Sequence, residues 1–195
     1  MEISDIIKRA SESAFGQPLI NNVLRSIISE AIVDAALGDG WIWCSADWAS
    51  CDFKHADGTR LEVKQSAALQ TWHGPDARPS RSSFDIAARQ GYFEGADWVP
   101  NAGRNADIYV FAHHPLTDAT ADHRNPSQWR FYVVRAAHLR VAKTISLAAL
   151  RRLSDAVGVD DMNQEVERLR RGSRFVWRQG DVDLANQSRT TSSKC

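Results

Sequence analysis

The stretch WASCDFKHADGTRLEVKQS, residues 48–66, decides the fold and is interpreted as a β-hairpin. Side chains of alternating character lie on both sides of the turn-forming residues 56–58, and Gly58 can adopt the positive φ that such turns require. A three-residue loop with this glycine in the left-handed position places His55 opposite Thr59. Counting outward from this pair predicts which residues face each other along both strands.

The predicted register brings polar groups from both strands to one face of the hairpin. Asp52 is expected opposite Glu62, and Ser50 opposite Lys64, with facing Cβ atoms roughly 5 Å apart. Because side chains alternate between the faces of a strand, these four share one face. The other face is predicted to carry Cys51, Phe53, Leu61 and Val63.

Two facing carboxylates repel each other and would destabilise an ordinary hairpin. A hard divalent cation between Asp52 and Glu62 would make the pair favourable, because Mg²⁺ is held by one or two carboxylates together with waters and phosphate oxygens. Lys64, two residues further on, could orient a water or stabilise charge on a phosphate. The alternative is a solvated polar face, since Glu-x-Lys triplets are common.

These residues resemble the PD-(D/E)xK nuclease superfamily, whose fold is that of the restriction endonucleases. The matching pieces are Asp52 on one strand, Glu62-Val63-Lys64 on the next, and an upstream helix that carries Glu30. Cys51 stands where the motif name has proline, at a position that varies in the family. The likeness covers roughly residues 20–134, and its motifs are short.

The resemblance implies an α/β protein with a restriction-endonuclease-like central mixed sheet of about four or five strands flanked by helices. It also implies that Asp52 and Glu62 bind Mg²⁺ (or Mn²⁺), that Glu30 adds to the metal site, and that Lys64 assists the attacking water. These four residues are therefore the expected catalytic group. The expected order of elements is helix, strand, hairpin, long insertion, two strands and two helices.

Composition favours one soluble domain. The chain has 195 residues, 43% of them hydrophobic, and a formal net charge of zero, which argues mildly against a nonspecific coat of nucleic acid. No apolar run approaches the roughly 20 residues that span a bilayer, and the N-terminus lacks a secretory signal pattern. Three cysteines without metal-type spacing favour a reducing, cytoplasmic environment. We expect a single domain over residues 1–180 and a polar, partly disordered tail over 181–195.

Hydrophobic periodicity predicts the remaining elements. Beyond a weakly amphipathic start over residues 1–18, helices are expected from Leu19 to about Gly38, over 144–157 and over 162–171. The inward face of the first of these three is predicted to carry Ile20, Val23, Leu24, Ile27, Ile28, Ala31, Ile32 and Ala35. Strands are expected at 41–46, 106–112 and 128–134, the last two paired antiparallel.

The long connection over residues 65–103 is where substrate contacts are expected, because connections of this length are usually functional or carry short elements of their own. One short element is predicted at 83–88, and Trp72 and Trp98 are candidates for contacting a ligand. The arginines interpreted as phosphate contacts are Arg78, Arg81 and Arg89 here, and Arg170, Arg171 and Arg174 in a basic C-terminal patch. Ordinary surface arginines are the alternative.

The leading functional hypothesis is a Mg²⁺-dependent nuclease that hydrolyses phosphodiester bonds in DNA. The sequence does not distinguish DNA from RNA, and cleavage of two strands would favour a homodimer. The second hypothesis is a catalytically inert module on the same fold that binds nucleic acid or a protein. A third, an enzyme centred on His113 and His114, ranks last because the sequence offers no third ligand or triad partner at useful spacing.

Overall fold

The computed structural model describes residues 2–44, 49–74, 77–94 and 96–172. These residues form a mixed α/β structure around a five-stranded mixed sheet. Among the helices of these ranges, none combines the length and apolar character needed to span a membrane. The predicted tail, Trp48 and Arg174 lie outside the described residues.

The central sheet has the strand order β1-β2-β3-β7-β8. Its strands are β1 (Trp41–Trp43), β2 (Phe53–His55), β3 (Arg60–Ala67), β7 (Ile108–His114) and β8 (Arg130–Arg135). Strands β3 and β7 pair in parallel, whereas the other neighbours are antiparallel. The predicted mixed sheet and the antiparallel pairing of β7 with β8 are confirmed.

Parallel pairing requires a long crossover, and the chain between β3 and β7 supplies it. This crossover contains β4 (Ser83–Asp85), β5 (Arg89–Glu94) and β6 (Asp97–Gly103). β5 and β6 form a separate two-stranded sheet, while β4 pairs antiparallel with β9 (Thr144–Ser146). The short element predicted at 83–88 is confirmed as a strand.

Four helices complete the described structure. They are α1 (Ile3–Phe15), α2 (Asn22–Ala36), α3 (Leu147–Leu150) and α4 (159–172), with two short 3₁₀ turns at Pro126–Gln128 and Ala136–His138. Asn21 caps α2, because its side chain accepts from the backbone N–H groups of Val23 and Leu24 at 3.1 and 3.0 Å.

The hairpin register is confirmed from the turn as far as Phe53 and Leu61. Phe53 pairs with Leu61, and the N–H of His55 donates to the carbonyl of Thr59 at 2.8 Å, as the three-residue loop requires. Gly58 has φ +92°, the left-handed region that favours glycine. The predicted pairs of Asp52 with Glu62 and of Ser50 with Lys64 lie beyond this ladder, which ends at Phe53 and Leu61.

The sheet separates two apolar clusters, because successive residues of β7 alternate between them. Leu61 and Val63 pack in the first cluster with α2 and α4. Tyr109 and Phe111 pack in the second cluster with β4 and β9. Since Glu62 and Lys64 alternate with the apolar residues of β3, they point toward the second face.

Three predictions about local structure are wrong. In α2, Val23 and Ile27 are 75% and 44% exposed, while Arg25 and Ser29 are each only 1% exposed. The helix predicted over 144–157 is reduced to α3, because the preceding residues pair with β4 as strand β9. Cys51 packs in the second cluster, across the sheet from Phe53, Leu61 and Val63.

Candidate active site

Asp52 lies where the pairing of β2 with β3 ends. Its N–H donates to the carbonyl of Leu61 at 3.1 Å, although Leu61 is already the partner of Phe53. Two consecutive residues therefore oppose one, which is the arrangement of a β-bulge. This irregularity explains why Cys51 changes sides, and it turns the Asp52 side chain toward the β3 backbone.

The Asp52 carboxylate replaces a backbone acceptor in the sheet. Its Oδ2 accepts a hydrogen bond from the N–H of Val63 at 2.7 Å. This bond satisfies a donor that the end of β2 would otherwise leave unpaired, and it fixes the carboxylate beside β3. The side chain is thus held in place by the fold.

The pKa of Asp52 is raised to about 7, mainly by burial and next by the negative charge of Glu62. Glu30 acts in the same direction, whereas the Val63 N–H and the Lys64 ammonium oppose the shift. The charges of all three other residues predicted from the sequence therefore act on Asp52. A cation beside Asp52 would therefore be favourable, because it would offset the cost of ionising this carboxyl.

Glu62 and Lys64 form an ion pair on the second face of β3. The Lys64 Nζ donates to Glu62 Oε1 at 2.5 Å, and both side chains are largely buried, with 24% of Lys64 and 21% of Glu62 exposed. Their spacing of two residues places both on one face of the strand. Glu62 consequently lies between an acidic neighbour, Asp52, and a basic one, Lys64.

Glu30 lies on α2, which covers the first face of the sheet, and among the described residues it lines neither the cleft nor the small cavity. Its Oε2 accepts a hydrogen bond from the indole Nε1 of Trp43 at 3.0 Å. This contact anchors the carboxylate to β1 while its charge still acts on Asp52. The prediction that Glu30 is a third metal ligand therefore finds no support in the geometry of the described residues, where Glu30 is not grouped with Asp52 and Glu62.

A cleft of about 640 Å³ opens in front of Asp52 and Glu62. Its other wall is formed by the β5–β6 hairpin, including Gly91 and Trp98. A smaller cavity, of about 30 Å³, adjoins it and is lined by Glu62 and Lys64. The acidic pair and the lysine therefore face the same open region.

The donor set fits a divalent ion that keeps much of its water shell. In the part of the chain that the structure describes, no three His, Cys, Asp or Glu side chains lie together as a preformed metal-binding group. Two carboxylates, Asp52 and Glu62, line the cleft together. Mg²⁺ commonly uses one or two carboxylates with waters and phosphate oxygens, so this pair suffices for it.

Arg104 is a functional candidate that the sequence analysis missed. Its guanidinium donates to three backbone carbonyls, those of Ile86 at 3.0 Å, Leu139 at 3.2 Å and Arg140 at 2.6 Å. No carboxylate among the described residues forms an ion pair with it, so its charge is not neutralised by an acidic partner. It lines the small cavity with Lys64, where it adds positive charge beside the acidic pair.

The three arginines predicted as phosphate contacts in the crossover differ in position. Arg89 lines both the cleft and the small cavity, and it forms an exposed ion pair with Asp85 at 2.7 Å. Arg78 and Arg81 are exposed and line neither space within the described residues. Arg89 is therefore the best placed of the three to contact a ligand in the cleft.

Arg170 and Arg171, the described residues of the C-terminal basic patch, lie across the sheet from Glu62 and Lys64, because α4 packs on the first face. Arg170 forms ion pairs with Asp57 and Glu167 and is only 12% exposed. Arg171 is 76% exposed, with Glu167 3.5 Å away. Neither residue is near the cleft, so any nucleic-acid contact there would be separate from the acidic site.

The histidine pair lies within β7, where it makes internal hydrogen bonds. His113 Nε2 is 2.8 Å from the hydroxyl of Ser82, and His114 Nε2 is 3.0 Å from Oε1 of Gln128. Both rings are buried. These contacts favour a structural role for the pair.

The β5–β6 hairpin is the second feature that the sequence analysis missed. Glu94 pairs with Asp97, so only residues 95–96, a Gly-Ala pair in the sequence, separate the two strands. A two-residue connection that begins with glycine is a hairpin signal, which could have identified the element. Trp98 consequently lies in a strand, although it was predicted in a loop.

Comparison with known proteins adds no assignment: no protein-family model matches the chain, and no curated protein matches it significantly.

Proposed function

We propose that the chain is a Mg²⁺-dependent nuclease that hydrolyses phosphodiester bonds in DNA, built on a restriction-endonuclease-like fold. The observation that carries the proposal is that Asp52 and Glu62 line one open cleft, while Lys64 lines the small adjoining cavity together with Glu62. Support for the fold comes from the mixed sheet, in which the Glu-x-Lys strand β3 is central and pairs in parallel with β7.

In this proposal Asp52 and Glu62 hold Mg²⁺ or Mn²⁺, which supplies charge neutralisation at the phosphate and lowers the pKa of a bound water. The bond from the Val63 N–H keeps the Asp52 carboxylate oriented toward the site. Lys64, 2.5 Å from Glu62, is placed to donate a hydrogen bond to the attacking water or to a phosphate oxygen. Glu30 adds negative charge from the opposite side.

Cleavage assays with Lys64→Ala and Asp52→Ala test the proposal. Each variant is expected to lose metal-dependent cleavage of DNA, because one removes the ammonium group and the other a metal ligand. Circular dichroism should show that both remain folded. Arg78→Ala is the matched control, since this exposed arginine lines neither space beside the site among the described residues, and it should cleave normally. Undiminished cleavage by both site variants would eliminate the mechanism.

A catalytically inert binding module is the second candidate. The observation in its favour is that Glu62 already has a cationic partner in Lys64, so the polar cluster can be satisfied without a metal ion. Isothermal titration separates the two candidates. Heat of Mg²⁺ or Mn²⁺ binding that disappears in Glu62→Gln supports the nuclease, and the absence of any binding heat supports the module.

A further inference from the structure

The β5–β6 hairpin carries an exposed aromatic face. Phe93 and Trp98 are cross-strand partners, with ring centroids 5.1 Å apart and ring planes at 67°. Phe93 is 38% exposed and Trp98 is 51% exposed. Large aromatic groups at this level of exposure, side by side on one face, present apolar ring surface that a planar ligand can contact, with the second ring at its edge.

Gly91 sets the position of the tryptophan. A Cβ atom at this residue would lie 2.6 Å from Cζ2 of Trp98, so the indole packs directly against the backbone of the neighbouring strand. Because Gly91 has no side chain, the indole ring of Trp98 can pack against β5 and is held in position by this contact. The remaining surface of the ring is accessible.

This aromatic face belongs to the same cleft as the candidate active site. The cleft is lined by Trp98 and Phe93 on the hairpin and by Asp52 and Glu62 on the sheet. Positive charge is available beside it, from Arg89 at its wall and from Arg104 in the adjoining cavity. Aromatic stacking surfaces next to cationic groups are the combination by which proteins bind single-stranded nucleic acid.

We propose that Trp98 and Phe93 form a stacking platform for an unpaired nucleobase, so that the substrate class is single-stranded nucleic acid or the unpaired end of a duplex. Within a duplex the faces of the bases are covered by their neighbours, and only an unpaired base can present its face to an indole. The inference rests on the proposed nuclease function, because it assumes that the strand continues past the platform toward Asp52 and Glu62.

Fluorescence anisotropy of the full chain in EDTA, which prevents metal-dependent cleavage, tests the platform. The probes are a labelled single-stranded oligothymidylate, a duplex of equal length and an abasic strand of equal length. We expect the oligothymidylate to bind about tenfold more tightly than the other two, the size expected of stacking one base. Trp98→Ala should remove this preference, Trp98→Phe should keep part of it, and Trp72→Ala should leave it unchanged.

Trp72 is the matched control because it is a 66% exposed tryptophan that lines neither the cleft nor the cavity within the described residues. Equal affinity for all three probes, no binding to any of them, or an unchanged preference in Trp98→Ala would each overturn the platform. Cleavage in Mg²⁺ is scored separately. Cleavage without strand preference would retain the nuclease and reject the platform, whereas base-dependent binding without cleavage would retain the platform and reject the nuclease.

Discussion

At the scale of single residues, Asp52 combines a structural hydrogen bond with an unfavourable charge. The Val63 N–H requires an acceptor, but burial and the neighbouring carboxylate of Glu62 raise the pKa of Asp52 to about 7. The residue is therefore costly to the fold in its ionised form. Such a cost is characteristic of groups retained for function, where stability and activity conflict.

Replacing this carboxyl by an amide should stabilise the protein. Because the folded-state pKa lies above the ordinary value of 3.8, the contribution of Asp52 to the free energy of unfolding should fall as pH rises from about 4 through about 7. Asp52→Asn keeps an acceptor for Val63 without the charge. We expect it to be more stable by about 1–3 kcal/mol at pH 8 in EDTA, with a smaller gain at pH 5.

Urea denaturation at the two pH values measures this difference. The exposed loop residue Asp39 provides a control, and Asp39→Asn should show no comparable gain. Added Mg²⁺ should stabilise the wild type and leave Asp52→Asn unaffected, since a ligand stabilises only the form that binds it. A variant that is less stable than the wild type at pH 8 would contradict this account.

At the scale of elements, the stability of α2 depends on its N-cap. The Asn21 side chain accepts from two backbone N–H groups, those of Val23 and Leu24. Asn21→Ala should lower the free energy of unfolding by about 1 kcal/mol, whereas Asn21→Asp should retain most of it. Denaturant titration compares the two variants. Equal loss in both would show that the cap bonds contribute little.

The turn of the β2–β3 hairpin is attached to α4 through Arg170, which pairs with Asp57 at the turn. The two side chains are only 12% and 10% exposed, so solvent screens their interaction less than that of a surface pair. A double-mutant cycle with alanine should give a coupling energy of about 1–2 kcal/mol. The more exposed Arg168–Glu165 pair on the same helix is the control, with an expected value below about 0.5 kcal/mol.

The sequence predicted correctly those features that depend on interactions between residues close together in the chain. The register of β2 and β3 as far as Phe53 and Leu61 follows from strand alternation and from Gly58, all within a short segment, whereas the bulge at Asp52 has no signal in that segment. The helix prediction over 144–157 is wrong because β9 pairs with β4, about 60 residues earlier in the sequence. Local periodicity carries no information about such a partner. Likewise, Arg104 lines the small cavity only because of how the crossover folds, which local sequence patterns do not reveal.

The buried face of α2 illustrates the same limit. Apolar spacing favoured Val23 and Ile27 as inward positions, yet the helix turns so that Arg25 is buried. Its guanidinium is satisfied by the side chains of Gln65 and Gln70, at 2.7 and 2.9 Å. These partners make it possible to bury a residue that hydrophobic patterns place outside.

At the scale of the whole molecule, the structure buries several basic groups. Arg25, His113, His114 and His123 are each at most 5% exposed. Burial, aided by nearby positive charge, lowers the pKa of His113 and of His123 to about 4 and lowers that of His114 as well. The fold therefore requires these histidines to be neutral.

This requirement predicts loss of stability in acid. At these buried histidines the unfolded chain binds protons near the ordinary pKa of 6.5, whereas His113 and His123 in the folded chain do so only near 4, so the histidine contribution to the free energy of unfolding should fall as pH decreases between these values. Three buried histidines act in this direction and Asp52 in the other, so we expect the histidines to dominate. One such histidine contributes up to about 3 kcal/mol by pH 4. Denaturation curves between pH 7 and pH 4 should show this decline.

Two glutamine variants show whether the buried rings cause the effect. His123→Gln should make the decline shallower, because Gln cannot take up a proton, and its amide oxygen can still accept from the N–H of Ile20 as His123 Nδ1 does at 3.0 Å. His138 is exposed, and His138→Gln should leave the profile unchanged. Identical profiles for both variants would argue against the buried histidine as the source.

The separate sheet formed by β5 and β6 has an evolutionary consequence. Within the ranges that the structure describes, no ladder hydrogen bonds join this hairpin to the five central strands, and it is inserted in the crossover between β3 and β7. During evolution, another loop could replace this hairpin without breaking the β-ladder that positions Glu62 and Lys64. The proposed base-stacking surface on the hairpin and the proposed catalytic residues on the central sheet could then change independently of each other.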